Sequence, residues 1–282
     1  MFNKSNLKKF IQIAYSKFFI LFDSFFRFSE KELCGNILRF TYLKFLIRPI
    51  VSLPYELGRT TRGVAFDSSK DIYSKVVEKI LIGEDSEGVI KMLYKEYQYY
   101  ENKTVKDLNN FLTVSKIISY PSWLMVLPWE NSNIKTFKKN YLYSFYNNRS
   151  VNGMTFSDEK SESIEAKIFS YDTASSHVNQ FKGLINKIKN QGYIENNNDY
   201  PSAIILIKGN KWKWMMSSSG NHRAHIKREL DYKFINCRVT AIVNFSKLSK
   251  CKNVLNQIFD EKESAILFEN IFEGKTPVRG PI

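Results

Sequence analysis

Ala203-Ile204-Ile205-Leu206-Ile207-Lys208-Gly209-Asn210-Lys211-Trp212-Lys213-Trp214-Met215-Met216-Ser217-Ser218-Ser219-Gly220-Asn221-His222-Arg223 is the most informative stretch of the chain. Its first five residues, introduced by Pro201, are apolar, too short for a typical helix and rich in β-branched side chains, which predicts a buried strand. Gly209-Asn210 is a turn, and Lys211-Trp212-Lys213-Trp214-Met215 alternates as the second arm of a hairpin does. Trp212 and Trp214 suit either the packed face of that hairpin or stacking on a nucleic-acid base. The small residues 217–220 then lead into Ala224, Ile226, Lys227 and Leu230, which read as a helix. Small residues between a strand and a helix let backbone amides approach a ligand, and the helix start adds about half a positive charge there. His222 and Arg223 supply two charge-assisted donors, and arginine suits bidentate phosphate contact. The pattern is that of a phosphate cradle.

Upstream, residues 164–169 alternate like a strand. Ser175-Ser176 open a helical stretch with Phe181, Leu184, Ile185 and Ile188 at 3, 4 spacing, stopped by Gly192. The polar turn Asn196-Asn197-Asn198-Asp199 follows. All three histidines, His177, His222 and His225, lie in this segment. No Asp or Glu in the motif completes a set of metal ligands with them, so no metal site is expected.

The 282 residues are ordinary in hydrophobic (43%) and charged (25%) share, which excludes wholesale disorder and a polytopic membrane protein. The aromatic share of 15% and the net charge of +14 are unusual. Such charge suits nucleic acid, nucleotide phosphates or an anionic lipid surface alike, and the Lys, Asn and Ile bias of an AT-rich genome would also produce it. Cys34, Cys237 and Cys251 form no CxxC pair, so neither a disulfide framework nor a zinc site is indicated and a reducing cytoplasm fits. Residues 1–60 form a basic amphipathic helical region. Lys17 and Asp23 break its apolar run short of the roughly 20 residues a bilayer needs, which leaves open a peripheral contact at the inner membrane surface. The segment 48–54, with Pro49 and Pro54, reads as a connector. Residues 61–160 form a mainly helical accessory region with two helical patterns split at Gly83. The rigid segments Pro121-Ser122-Trp123 and Leu127-Pro128-Trp129-Glu130 follow, and then a polar turn at 147–153 whose Arg149 and Asn152 are candidates for binding a substrate. Residues 161–245 form a compact mixed-sheet module, and 246–282 a helical tail. The fold class expected is α+β.

The order of pieces in residues 164–243 resembles the ParB/sulfiredoxin-like superfamily, sulfiredoxin most closely. The pieces are the helix over 178–192, the strand over 201–208 with its Gly209 turn, the aromatic arm 212–216 and the turn plus helix Ser219-Gly220-Asn221-His222-Arg223. The resemblance implies a nucleotide, ATP or CTP and with magnesium, held by Ser219, Gly220, Asn221, His222 and Arg223, assisted by Gln180 and Lys187. Asn221 stands where sulfiredoxin has its catalytic cysteine, so sulfinic acid reduction is not expected, because it needs a thiolate. The tail after Val243 has room for two short helices, too little for the helix-turn-helix domain of ParB partition proteins.

Other branches of the superfamily move a phosphoryl group from a nucleotide to a small hydroxyl compound. The function expected is therefore phosphoryl transfer to a small-molecule or glycan hydroxyl, with His222 and a carboxylate as catalytic groups. Asp172 is preferred over Glu165 and Glu195 because it lies just after the first strand and close to the pocket helix. A ParB-like DNA-binding or nuclease-type protein and a non-enzymatic membrane-surface protein are the alternatives.

Overall fold

The structure, a computed structural model, describes residues 50–67, 69, 71–130, 134–148, 168–192, 200–217 and 219–281. The expectations for residues 1–49, Arg149, Asn152, Glu165, Glu195 and Ser218 lie outside them. The fold is mixed α and β, as expected. Five strands, β1 (Ile50–Pro54), β2 (Gly58–Arg59), β3 (Ser202–Lys208), β4 (Lys211–Met216) and β5 (Phe234–Asn244), form one mixed sheet in the order β1-β5-β3-β4-β2. The helices described are α1 (Ile72–Leu81), α2 (Ser86–Glu101), α3 (Val105–Leu108), α4 (Ile134–Asn148), α5 (Tyr171–Gln191), α6 (Asn221–Glu229), α7 (Lys252–Leu255) and α8 (Glu261–Glu273).

The sheet is curled, and chain length shows why. In a flat sheet the outer strands β1 and β2 would lie about 19 Å apart, four spacings of about 4.8 Å. Only the 3-10 turn Tyr55–Leu57 joins them, and four Cα steps span at most about 14 Å. The outer strands must therefore bend toward each other. The indole of Trp214 on β4 bridges that closure by donating to Pro54 O on β1 at 2.7 Å.

Both faces of the sheet are buried, which is why β3 reads as a continuous apolar run. Ile204, Leu206, Met215 and Val243 pack with Phe268, Ile271 and Phe272 of α8 and with the segment from Val105 to Trp129. Ala203, Ile205, Trp212, Trp214, Cys237 and Val239 pack with Tyr55, Phe66 and Ala224 of α6. Trp212 and Trp214 thus belong to the core. A second core joins α1, α2 and α5 through residues such as Val76, Val77, Leu93, Val178 and Phe181.

Helix α8 is secured at both ends. At its start Glu263 accepts from the amides of Thr113, Val114 and Ser115 and from the hydroxyls of Thr113 and Ser115. Burial raises this carboxyl's pKa, but those bonds outweigh it and hold the group below its ordinary value. At its end the buried Arg59 donates to the carbonyls of Ile271 and Phe272, which the helix itself leaves unpaired.

Several expectations need correction. Residues 50–54 are not a connector but an edge strand paired antiparallel with β5, and 50–59 are strand, turn and strand rather than helix. The sheet therefore draws on both sides of the divisions at 60/61 and 160/161. Ile168 and Phe169, expected at the end of a strand, form a turn, and α5 starts four residues before Ser175 because Ser170 caps it by accepting from Thr173 N. Strand β5, for which the pattern carried no expectation, lies between β1 and β3. The last part of the tail is not helical: residues 274–281 run back along the molecule, with Val278 N donating to Arg62 O and Asn109 donating to Val278 O.

Candidate functional site

Gly220 opens α6 in the left-handed conformation, φ 83°. A side chain there would place Cβ 2.5 Å from Pro201 Cβ and 2.7 Å from Pro201 Cα, so only glycine lets the loop after β4 cross the entry to β3. Ser202 N donates to Ser219 O, Ser217 N donates to Ser202 O, and the Ser202 and Ser219 hydroxyls lie 2.9 Å apart. Ser219 thus ties the cradle to β3. The ladder of α6 begins with Ala224 N donating to Gly220 O, so the amides of Asn221, His222 and Arg223 precede it at the positive end of the helix. Among the described residues, no side chain caps this end, and Asn221 Oδ1 is a buried acceptor with no partner.

His222 is half-buried, its ring 4.5 Å from Phe181, 5.4 Å from His177 and 5.8 Å from Tyr73 between centroids. Two of these neighbours lie on α5, so α5 flanks the cradle. On the outer, solvent-facing side of the same helix, Asp172, Ser175, Ser176, Asn179 and Gln180 line an open cleft of about 570 Å³. Asp172 and Gln180, chosen from sequence for different reasons, thus share one cleft wall. Lys187 is exposed on the same side, two turns beyond Gln180. Among the described residues, no group of three His, Cys, Asp or Glu side chains could hold a metal ion.

Behind the cradle lies a buried polar cluster that sequence reasoning missed. His225 accompanies His222 on α6 but turns to α1, its Nδ1 2.9 Å from Ser74 Oγ and its Nε2 3.7 Å from Asp71 Oδ1. Asp71 also caps α1 by accepting from Tyr73 N. Arg62, also fully buried, donates to Tyr100 OH at 2.6 Å and Glu96 Oε1 at 3.3 Å. Burial works against its charge, but Asp71, Tyr100 and Glu96 outweigh that and raise its pKa. Burial lowers the pKa of His225, and Asp71 offsets this only in part. An Asp one residue before an apolar-periodic stretch is a helix-start signal. Nothing local marks Arg62 or His225 as its neighbours.

This buried imidazole makes stability pH-dependent. Its folded pKa lies below the unfolded value of 6.5, so on acidification the unfolded chain takes up the proton first. The contribution is complete above about pH 6.5 and is lost as pH falls toward the folded pKa, at up to about 1.4 kcal/mol per pH unit. Urea unfolding from pH 7.5 to 5 should show this slope, and His225→Gln should flatten it whatever its effect at pH 7.5. An unchanged slope in the variant would rule out the assignment.

No helix among the described residues is long and apolar enough to cross a membrane. Compared with protein-family models, curated proteins and solved structures, the chain finds no match in any of the three.

Proposed function

We propose that the chain binds a nucleoside triphosphate, ATP or CTP, at the start of α6 and transfers its terminal phosphoryl group to a hydroxyl of a small molecule or glycan lying in the cleft on α5. The observation that carries the reading is the left-handed Gly220 against Pro201. It fixes the uncapped helix end that carries His222 and Arg223, and α5, which packs against His222 through His177 and Phe181, also carries the polar cleft wall with its carboxylate. The amides of Asn221, His222 and Arg223 and the Arg223 guanidinium hold the phosphates. Gln180 adds a polar contact from α5, and Lys187 attracts the anion at longer range.

Asp172 is exposed in the first turn of α5, within the cleft lining, and there it orients the acceptor hydroxyl and takes its proton. The acceptor oxygen forms a bond to the terminal phosphorus as the bond to the bridging oxygen breaks, and the nucleoside diphosphate departs. Magnesium carried in on the phosphates supplies charge neutralisation, a role that needs only one or two protein carboxylates.

Thermal unfolding with ATP or CTP, with and without magnesium, tests the reading. A triphosphate at a hundred times its dissociation constant stabilises by about 2.7 kcal/mol. The gain should be lost in Arg223→Ala, with transfer to an acceptor lost in Asp172→Asn. No stabilisation by any triphosphate, or an equal gain in Arg223→Ala, would overturn it.

A further inference from the structure

The chain has three histidines, and the fold brings all of them to one phenol. The ring of Tyr73 on α1 has its centroid 6.0 Å from His177, 5.8 Å from His222 and 5.9 Å from His225. His225 is fully buried on the side of Ser74 and Asp71. His177 and His222 are half-buried and meet with their planes at 73°.

The rings of Phe181, Tyr73 and His177 lie against His222. Of the rings around it, Phe181 offers no polar atom, and the hydroxyl of Tyr73 lies 3.5 Å from that of Tyr97. His177 is the neighbour whose ring carries nitrogens. Its Nδ1 is hydrogen-bonded to the hydroxyl of Tyr97 on α2, a residue only 2% exposed. The rings of Tyr97 and His177 meet edge to face, 6.1 Å apart. When one imidazole nitrogen is engaged, the tautomer and the direction of the other are set with it. Among the described residues, Tyr73 from α1 and Tyr97 from α2 are titratable side chains facing the pair, and His225 from α6 itself meets Tyr73.

We propose that His177 is a positioning residue, locked at Nδ1 by the Tyr97 hydroxyl so that its ring fixes the orientation of His222 at the phosphate-binding end of α6. The inference rests on the nucleotide reading for its functional consequence, but the coupling between the rings stands on geometry alone. Three helices, α2, α5 and α6, thereby act on one imidazole. A ring at the start of a helix otherwise samples several rotamers, and each must be given up when a phosphate is bound. With the ring held beforehand, that loss is avoided.

Three histidines mean three imidazoles in a nitrogen-edited NMR spectrum of the full chain, so each can be followed separately. Tyr97→Phe should change the tautomer pattern of His177 and move the titration midpoint of His222 by about half a pH unit. The His225 signal, set by Ser74 and Asp71, should stay in place. Tyr73→Phe, which removes the other phenol of the pair, should shift His222 the same way by less, and it serves if Tyr97→Phe folds poorly. ATP or CTP affinity should fall about fivefold in Tyr97→Phe and about tenfold in His177→Leu, with the pH profile of binding displaced in Tyr97→Phe. A His222 signal and midpoint that neither tyrosine variant moves would overturn the proposal. If no triphosphate binds the wild type, or Arg223→Ala binds as well as it does, the nucleotide reading fails. The histidine spectra then judge the positioning of His222 by themselves.

Discussion

Gly220→Ala should cost about 2–5 kcal/mol, the sum of a left-handed backbone penalty and an overpacking penalty, and should remove the stabilisation by a nucleoside triphosphate. The added carbon would meet Pro201 Cβ at 2.5 Å and Pro201 Cα and Cγ at 2.7 Å. Two of these atoms belong to the stiff part of a proline ring at the entry to β3, which leaves no flexible side chain to swing aside. Relief requires the loop to move, and the amides of residues 221–223 move with it. Gly83 gives the matched control, since it has φ 82° but nothing within 4 Å of the added carbon. Gly83→Ala should therefore cost only the backbone part, about 1–2 kcal/mol, and leave binding unchanged. Denaturant midpoints of the two variants separate the terms. Equal losses would mean that the loop is not pinned on Pro201, and the cradle argument would go with it.

The second large effect concerns Arg62. Arg62→Met should cost about 3–5 kcal/mol because it leaves the buried Asp71 carboxylate without its compensating charge. Asp71 is 1% exposed and, among the described residues, its Oδ2 already has no hydrogen-bond partner. Tyr100 OH and Glu96 also lose their donor. Asp71→Asn keeps an oxygen to cap α1 while removing the charge, so the double variant should be more stable than the two single losses predict when added. Urea unfolding of the four proteins in the cycle gives the coupling, and simple additivity would show that the two charges do not depend on each other.

Sequence pattern reached furthest where structure is local. The hairpin through Gly209, the helix ending at Gly192 and the helix beginning at Asn221 follow from turn residues and periodicity within about twenty residues. Misreadings arose where a local signal was outvoted or silent. Prolines at 49 and 54 suggested a break, yet Ile50–Pro54 pairs with β5 because an edge strand tolerates proline where no ladder bond is required. In β5 polar residues such as Asn236, Arg238 and Thr240 sit between buried Ile235, Cys237 and Val239. That period-2 alternation is a strand signal, and it lies just beyond α6 in the chain. The early start of α5 turned on a single serine cap at Ser170.

By itself the chain determined the β3 to β4 hairpin, the small-residue entry to α6 and the placing of charge at that helix start, since each depends on neighbours in sequence and on backbone sterics. Tertiary structure alone decided that residues 50–59 wrap the sheet, that Arg62 and Asp71 share a buried interior with His225, and that Tyr97 reaches His177. The bonds of Tyr97 to His177 and of Ser74 to His225 join residues 80 and 151 positions apart. Burial and hydrogen-bond satisfaction select such partners among many chemically equivalent side chains, and no local pattern encodes that choice.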